Sequence, residues 1–348
     1  MHPFPFYLRF KTTRMVLHAW VMLLTLMCAA CWPQKELRLT GKTMGTIYHI
    51  KVVAGWMDSA EDLQRQIDDR LAAINRSMST YDPDSEISRF NALSTTGSIS
   101  ISDDFVDVLK AATELHRLTD GAWDGTLDPL VNLWGFGRGG GINQIPDERA
   151  IQAALARVGF DRIRLQPPGT LSKTTASVTL DLASIAKGYG VDAIARLLGQ
   201  NGFEHFLVEI GGEVYARGYR QDGKPWRVGI NRPDKRAALN DVYKAVVLTD
   251  RAMATSGNYR IFFTVGEQSY SHIIDPRTGF PVTNGVVSAT VVAANCTVAD
   301  GLATALMVMG PQHGVSLVNR LPAVECLIVV QQPDGTLKDY PSSGFRLN

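Results

Sequence analysis

Through most of its length this chain passes between short alternating apolar runs and longer segments of helical period, in an order that never settles into a regular repeat. Gly45 to Val53, Val178 to Leu182, Phe206 to Ile210, Trp226 to Ile230 and Tyr243 to Leu248 have strand character. So do Arg260 to Val265, Tyr270 to Ile274, Val286 to Ala293 and Val324 to Val330. Helices are predicted behind Ser59, with Leu63, Ile67, Leu71 and Ile74 on one face, and behind Ser102, with Phe105, Val108, Leu109, Ala112 and Leu115. Two more are expected from about Ile185 to Leu198 and from about Val298 to Met309. A doubly wound parallel sheet would need a steady strand, helix, strand rhythm, whereas the short turns here favour antiparallel pairs. The pattern therefore predicts an α+β fold of largely antiparallel sheets with packed helices.

Composition narrows the function. With 35 Lys and Arg against 34 Asp and Glu, the formal charge of +1 supplies no broad field for a polyanion, so nucleic acid is not an expected partner. The N-terminus differs from the rest: Arg9, Lys11 and Arg14 precede an apolar run from Met15 to Ala30. That is the pattern of a signal peptide, here residues 1–30. The pair Ala29-Ala30 directly before Cys31 resembles a bacterial lipobox, which implies cleavage before Cys31, a lipid on its thiol and residues 31–40 as a linker. Cys28 stands where a lipobox usually has leucine, which leaves an uncleaved N-terminal anchor as the alternative. Cys296 and Cys326 lie in apolar segments and read as buried thiols.

Several segments carry polar groups suited to chemistry. Asp300 and Thr304 lie four apart on a predicted helix, one turn from each other on one face, and both offer hard oxygen ligands of the kind Mg2+ prefers. Equally, Asp300 could be a partner of the helix dipole and Thr304 could bond the carbonyl one turn back. His272 precedes a turn bearing Asp275, Arg277 and Thr278, which also reads as hairpin punctuation. Asp181, Ser184 and Lys187 surround a helix start able to receive an anion, or Ser184 is simply the N-cap. Tyr81, Trp123 and Trp134 are candidates for stacking on a flat ring or for the core. Glu209 and Glu213 flank Gly211-Gly212, where a bulge would explain the glycines. Gly41-Lys42-Thr43 is no phosphate loop, because Glu36 occupies the position of its first glycine, and Gly137 to Gly141 lacks the lysine and hydroxyl.

The ordered series Met44-Gly-Thr46, Ser79-Thr-Tyr-x-Pro-x-Ser-Glu-Ile87, Trp123-Asp-Gly-Thr-Leu-Asp-Pro-Leu-Val131 and Leu180-Asp-Leu-x-x-Ile-Ala-Lys-Gly-Tyr189 continues through Val208-Glu-Ile-Gly-Gly-Glu213, His272-Ile-Ile-Asp-Pro-Arg-Thr-Gly279 and Ala299-Asp-x-x-x-Thr304. It resembles the ApbE family of periplasmic FAD:protein FMN transferases. The resemblance implies a T-fold-like α+β core over residues 41–348, two lobes forming one catalytic unit. It implies Mg2+ held by Asp300, Thr304 and a backbone oxygen at Ser184. Contacts to the substrate FAD would map to Met44, Tyr81, Ala122, Trp123, Asp124, Asp181, Lys187, His272 and Ile273; Trp123 replaces the more usual phenylalanine. Tyr81 would stack on a ring, Lys187 would balance phosphate charge, and His272 or a nearby acid would take the proton of the acceptor hydroxyl. The implied acceptors are subunits of Na+-pumping quinone reductase or Rnf-type electron-transfer complexes, met on the periplasmic face of the inner membrane. FAD hydrolysis to FMN and AMP, and flavin binding without turnover, remain the competing functions at this stage.

Overall fold

The computed structural model describes residues 34–137, 144–234, 237–238, 241–259, 261–266 and 268–347. The expected signal peptide, the lipid-bearing Cys31 and most of the glycine run from Gly137 to Gly141 lie outside the described residues. In chain order the elements are β1 (Gln34–Thr43), β2 (Thr46–Gly55), α1 (Ala60–Met78), α2 (Glu86–Asn91), β3 (Ser98–Ser100), α3 (Asp103–Leu118), α4 (Asp128–Leu133), α5 (Glu148–Leu155), β4 (Ile163–Gln166), β5 (Thr170–Lys173) and α6 (Ala183–Gln200). There follow β6 (Phe206–Ile210), β7 (Glu213–Arg217), β8 (Trp226–Asn231), β9 (Val242–Leu248), β10 (Arg251–Gly257), β11 (Phe262–Val265), β12 (Gln268–Ser271), β13 (Val286–Ala293), α7 (Cys296–Val318), β14 (Glu325–Gln331) and β15 (Leu337–Pro341). The fold is α+β.

The main sheet has the order β1-β2-β6-β7-β10-β13-β14-β15, and every neighbouring pair in it is antiparallel. Helices α6 and α7 pack on it and on each other. Helix α7 has apolar residues around its whole circumference, as a helix buried on all sides must, and it breaks at Gly310 before Pro311. Caps fix where the helices begin: Ser59 accepts from the Asp62 amide, Ser102 from Phe105, and Asn295 from Val298.

Three expectations change against this frame. Residues 34–40, assigned to the linker, are the first part of edge strand β1, whose Leu37 and Leu39 alternate into the core. Val178 to Leu182 alternates buried with half-buried residues but joins no sheet; the Asn91 amide instead donates to the Leu180 carbonyl and accepts from its N–H, as a neighbouring strand would. Gly211 and Gly212, with φ of 60° and 103°, are no bulge. They are the tight turn joining β6 to β7, where positive φ at both positions favours glycine.

The crossing of α6 and α7 sets the position of everything functional. A Cβ on Gly188 would stand 2.4 Å from the Cys296 carbonyl oxygen and 2.9 Å from Asp300 Cβ, so only glycine lets the helices approach so closely. From α6, buried Asp192 accepts hydrogen bonds from the Cys296 and Thr297 amides and the Thr297 hydroxyl, capping α7 across the interface. In an open helix interior Gly→Ala gains about 1 kcal/mol. Gly188→Ala is expected instead to lose about 1–3 kcal/mol through overpacking against backbone. Urea unfolding checks this: the midpoint should fall with the m-value unchanged.

Candidate active site

The start of α6 is fixed by short polar contacts. Asp181 Oδ1 accepts from the Ala183 amide, while Ser184 Oγ accepts from Trp123 Nε1 at 3.0 Å; Leu182, and not Ser184, is the N-cap residue. One turn into the helix, Lys187 sends its amine between two carboxylates, 3.4 Å from Glu213 Oε1 and 3.8 Å from Asp300 Oδ2. Glu213 arrives there because the Gly211-Gly212 turn delivers it as the first residue of β7. Asp300 arrives because the close crossing lets its Oδ2 accept from the Gly188 amide at 3.0 Å. In a regular helix that N–H belongs to the Ser184 carbonyl.

These groups share a wall of a cavity of about 490 Å³. Ala122, Trp123, Asp124, Asp181, Ser184, Lys187, His272, Ile273, Asp300 and Thr304 all line it, so the structure gathers most of the predicted site from widely separated segments. Met44 and Tyr81 are not among the lining residues. Met44 has φ of 48° in the β1–β2 turn and lies against Gly190 of α6, and Tyr81 is 81% exposed on its loop. Trp134 belongs to the core, fully buried against Phe263 and Tyr270 with its Nε1 donating to the Gly279 carbonyl. Asp124 lines the cavity, yet its carboxylate accepts from the Thr126 amide and hydroxyl and from the Phe160 amide, which makes it a loop staple. Thr304 does not cap back onto its own helix; its hydroxyl pairs with Ser256 Oγ at 3.0 Å.

Burial and charge act together at the carboxylates. Desolvation, then the charge of Asp300, pushes the Glu213 carboxyl up to about 8, and burial raises Asp300 as well. Burial works against the charged Lys187 amine, but the two carboxylates outweigh it and hold its pKa above the ordinary lysine value. One lysine cannot balance both acids, and Glu213 Oε2 is buried without a hydrogen-bond partner. At an effective dielectric constant of about 20, a unit charge 4 Å away is worth about 4 kcal/mol, so a cation placed here would favour the ionised form of both carboxylates. Hard oxygens from Asp300, Thr304 and the Ser184 carbonyl suit Mg2+. Among the described residues no cluster of three or more His, Cys, Asp or Glu could hold a metal.

His272 lines the same cavity. Burial lowers its pKa, only partly offset by the hydrogen bond of Nδ1 to the Ile261 carbonyl at 3.1 Å. A carbonyl only accepts, so Nδ1 carries the proton and Nε2 keeps a lone pair. Of the groups that complete the site, Ser256 went unnoticed in the sequence and Glu213 was seen only as a turn neighbour. The run Ala254-Thr255-Ser256-Gly257, small and polar at the end of a strand, was the available signal for the first.

Fold and site together define an α+β protein with an acid-lined ligand cavity where two helices cross. The ApbE family model matches residues 44–328. The FAD:protein FMN transferase of Vibrio cholerae is 43% identical over 328 residues, which cover 92% of this chain and 95% of that one. The solved flavin transferase ApbE from Vibrio cholerae has a TM-score of 0.80 at 40% identity, covering 90% of this chain and 99% of that chain. For the Pseudomonas stutzeri flavinyl transferase ApbE in its apo form the TM-score is 0.81 at 36% identity, covering 89% and 95%. The chain belongs to the ApbE family.

Removing the lysine tests the electrostatic account. Lys187→Met leaves two buried carboxylates without their cation and should cost about 2–4 kcal/mol in urea unfolding at pH 8. Adding Glu213→Gln to that variant should recover part of the loss, a coupling visible in a double-mutant cycle.

Proposed function

We propose that this protein transfers the FMN portion of FAD to a threonine or serine hydroxyl of another protein and releases AMP. The observation that carries this reading is the convergence of the family's dispersed motifs, 122–124, 181–187, 272–274 and 300–304, on one cavity. Relatives at 43% and 38% identity are FAD:protein FMN transferases.

Mg2+, held by Asp300, Thr304 and the Ser184 carbonyl, would supply neutralisation of the FAD diphosphate and make its phosphorus open to attack. The chain's own residues do the rest. Lys187 places a positive charge beside the phosphates and favours the ionised forms of Asp300 and Glu213 against the burial that raises both. The Gly188 amide and the tight crossing behind it hold Asp300 in one orientation. His272, neutral and fixed by Ile261, accepts the proton of the acceptor hydroxyl at Nε2. The hydroxyl oxygen then bonds to the FMN phosphorus as the bond from that phosphorus to the bridging oxygen breaks, and AMP leaves with that oxygen. Buried apolar walls such as Ile273 and Ile274 limit access of competing water.

The N-terminal segment supports export and attachment at Cys31, which would set this chemistry on the periplasmic face of the inner membrane. Subunits of Na+-pumping quinone reductase or of Rnf-type complexes are the acceptors this placement suits.

Incubation of the detergent-solubilised protein with FAD, Mg2+ and a candidate acceptor should give covalent FMN on the acceptor by mass spectrometry, with one AMP per adduct. Asp300→Ala should slow transfer by at least about 100-fold, equivalent to about 2.7 kcal/mol of barrier. AMP without adduct would identify a hydrolase, and neither product a passive flavin binder. The pH profile tests the base. Its active form is unprotonated, and a lowered pKa carries the acid limb of kcat/KM below the ordinary histidine value of about 6.5. His272→Ala should abolish that limb and cost about 100-fold or more; an unchanged profile would remove His272 from this role.

A further inference from the structure

We propose that the Trp56–Met57 turn is a second membrane contact, seated in the lipid interface beside the point where the chain leaves for its N-terminal anchor. The inference rests on the anchored reading above, and it holds whether Cys31 carries a lipid or the apolar run is retained. Gln34 follows Cys31 by three residues. A chain spans at most about 3.5 Å per residue, so Gln34 can stand no more than about 10 Å from an anchored Cys31.

Gln34 pairs with Gly55, the last residue of β2, and the chain then turns through Trp56 and Met57, which are 55% and 65% exposed. Their display is built. Lys35 Nζ donates to the Trp56 and Asp58 carbonyls, Asp58 Oδ2 accepts from the Gly55 amide, and the Asp58 amide returns to the Gly55 carbonyl. This ties the turn's backbone down while both large apolar side chains keep more than half of their surface exposed. A second loop is bound to the same end: Gln221 Nε2 donates to the Gln34 carbonyl, which brings Tyr219, 48% exposed, close by.

Tryptophan and tyrosine settle at the headgroup level because one end of each ring is apolar and the other polar. The charges nearby, Lys35, Arg220 and Lys224 against Asp58 and Asp222, come close to cancelling, and Arg220 and Asp222 pair with each other at 3.2 Å. The contact is therefore aromatic and not a response to anionic lipid. It also orients the molecule. From this end the hairpin of β1 and β2, ten residues in each strand, runs to the Thr43–Thr46 turn beside Gly211 and Lys187. At about 3.3 Å per residue that strand length holds the cavity up to about 30 Å from the lipid.

The test uses the full chain in vesicles. Trp123, Trp134 and Trp226 are buried, so Trp20→Phe and Trp32→Phe leave Trp56 as the one tryptophan that acyl-chain bromines can reach. In that background, vesicles of zwitterionic lipid brominated near the top of the acyl chain should dim the tryptophan emission relative to plain lipid, and Trp56→Phe should remove the difference. Equal emission in the two lipids, with the protein still sedimenting with vesicles after a carbonate wash, would overturn the contact while sparing the anchor. Release of the protein by carbonate would overturn both. Quenching that appears only when anionic lipid is added would overturn the aromatic contact in favour of a charge-driven one.

Discussion

The approach of α6 to α7 at Gly188 is the constraint from which the site follows. Because no Cβ stands there, the helices meet at backbone distance, and two kinds of contact become possible at once. Asp192 reaches across to satisfy the first amides of α7, and Asp300 reaches back to the Gly188 amide. A buried helix end needs such partners, since each orphaned N–H costs about 1–3 kcal/mol. The same geometry that stabilises the helix pair thus delivers a carboxylate to the floor of a cavity and holds it still.

What that carboxylate meets there is out of balance by design of the fold. Lys187 sits in the same α6 turn, and the β6–β7 turn adds Glu213, so two acids share one amine in a place that water reaches poorly. Left to itself this arrangement raises the pKa of both acids, and Glu213 keeps an oxygen with no partner. An anionic diphosphate entering alone would worsen the imbalance. Entering with a divalent cation, it would relieve it, and the metal dependence of the proposed transfer is in this sense a consequence of burial. His272, its pKa lowered by burial of its own, lines the same cavity with a ring nitrogen that can take a proton.

Local signals made much of the fold legible in the sequence. Ser59, Ser102 and the apolar faces behind them announced helices, and alternation announced β6, β8, β13 and β14 within a residue or two. Strand β1 escaped because an edge strand exposes half its residues, and Gln34-Lys-Glu reads as linker until β2 is seen beside it. Strand β10 escaped because its central residues are small. Val178 to Leu182 reads as a strand because apolar and polar residues alternate along it; whether a segment finds a neighbour depends on distant residues, here Asn91. The site followed the same division. Motif resemblance named Asp300, Thr304, Lys187 and His272, whereas the pairing of Thr304 with Ser256, the orphaned oxygen of Glu213 and the core position of Trp134 are long-range facts that no local pattern encodes.

The central claim is that the Asp300 end of α7 and the Lys187 turn of α6 jointly receive a cation-bound diphosphate. A crystal structure of the protein soaked with FAD and Mn2+, recorded at a wavelength where manganese scatters anomalously, tests it most directly. The account predicts an anomalous peak bonded to Asp300 and Thr304, with the flavin dinucleotide's phosphates on its open side next to Lys187. Phosphates lodged elsewhere in the molecule, with no metal at Asp300, would contradict it.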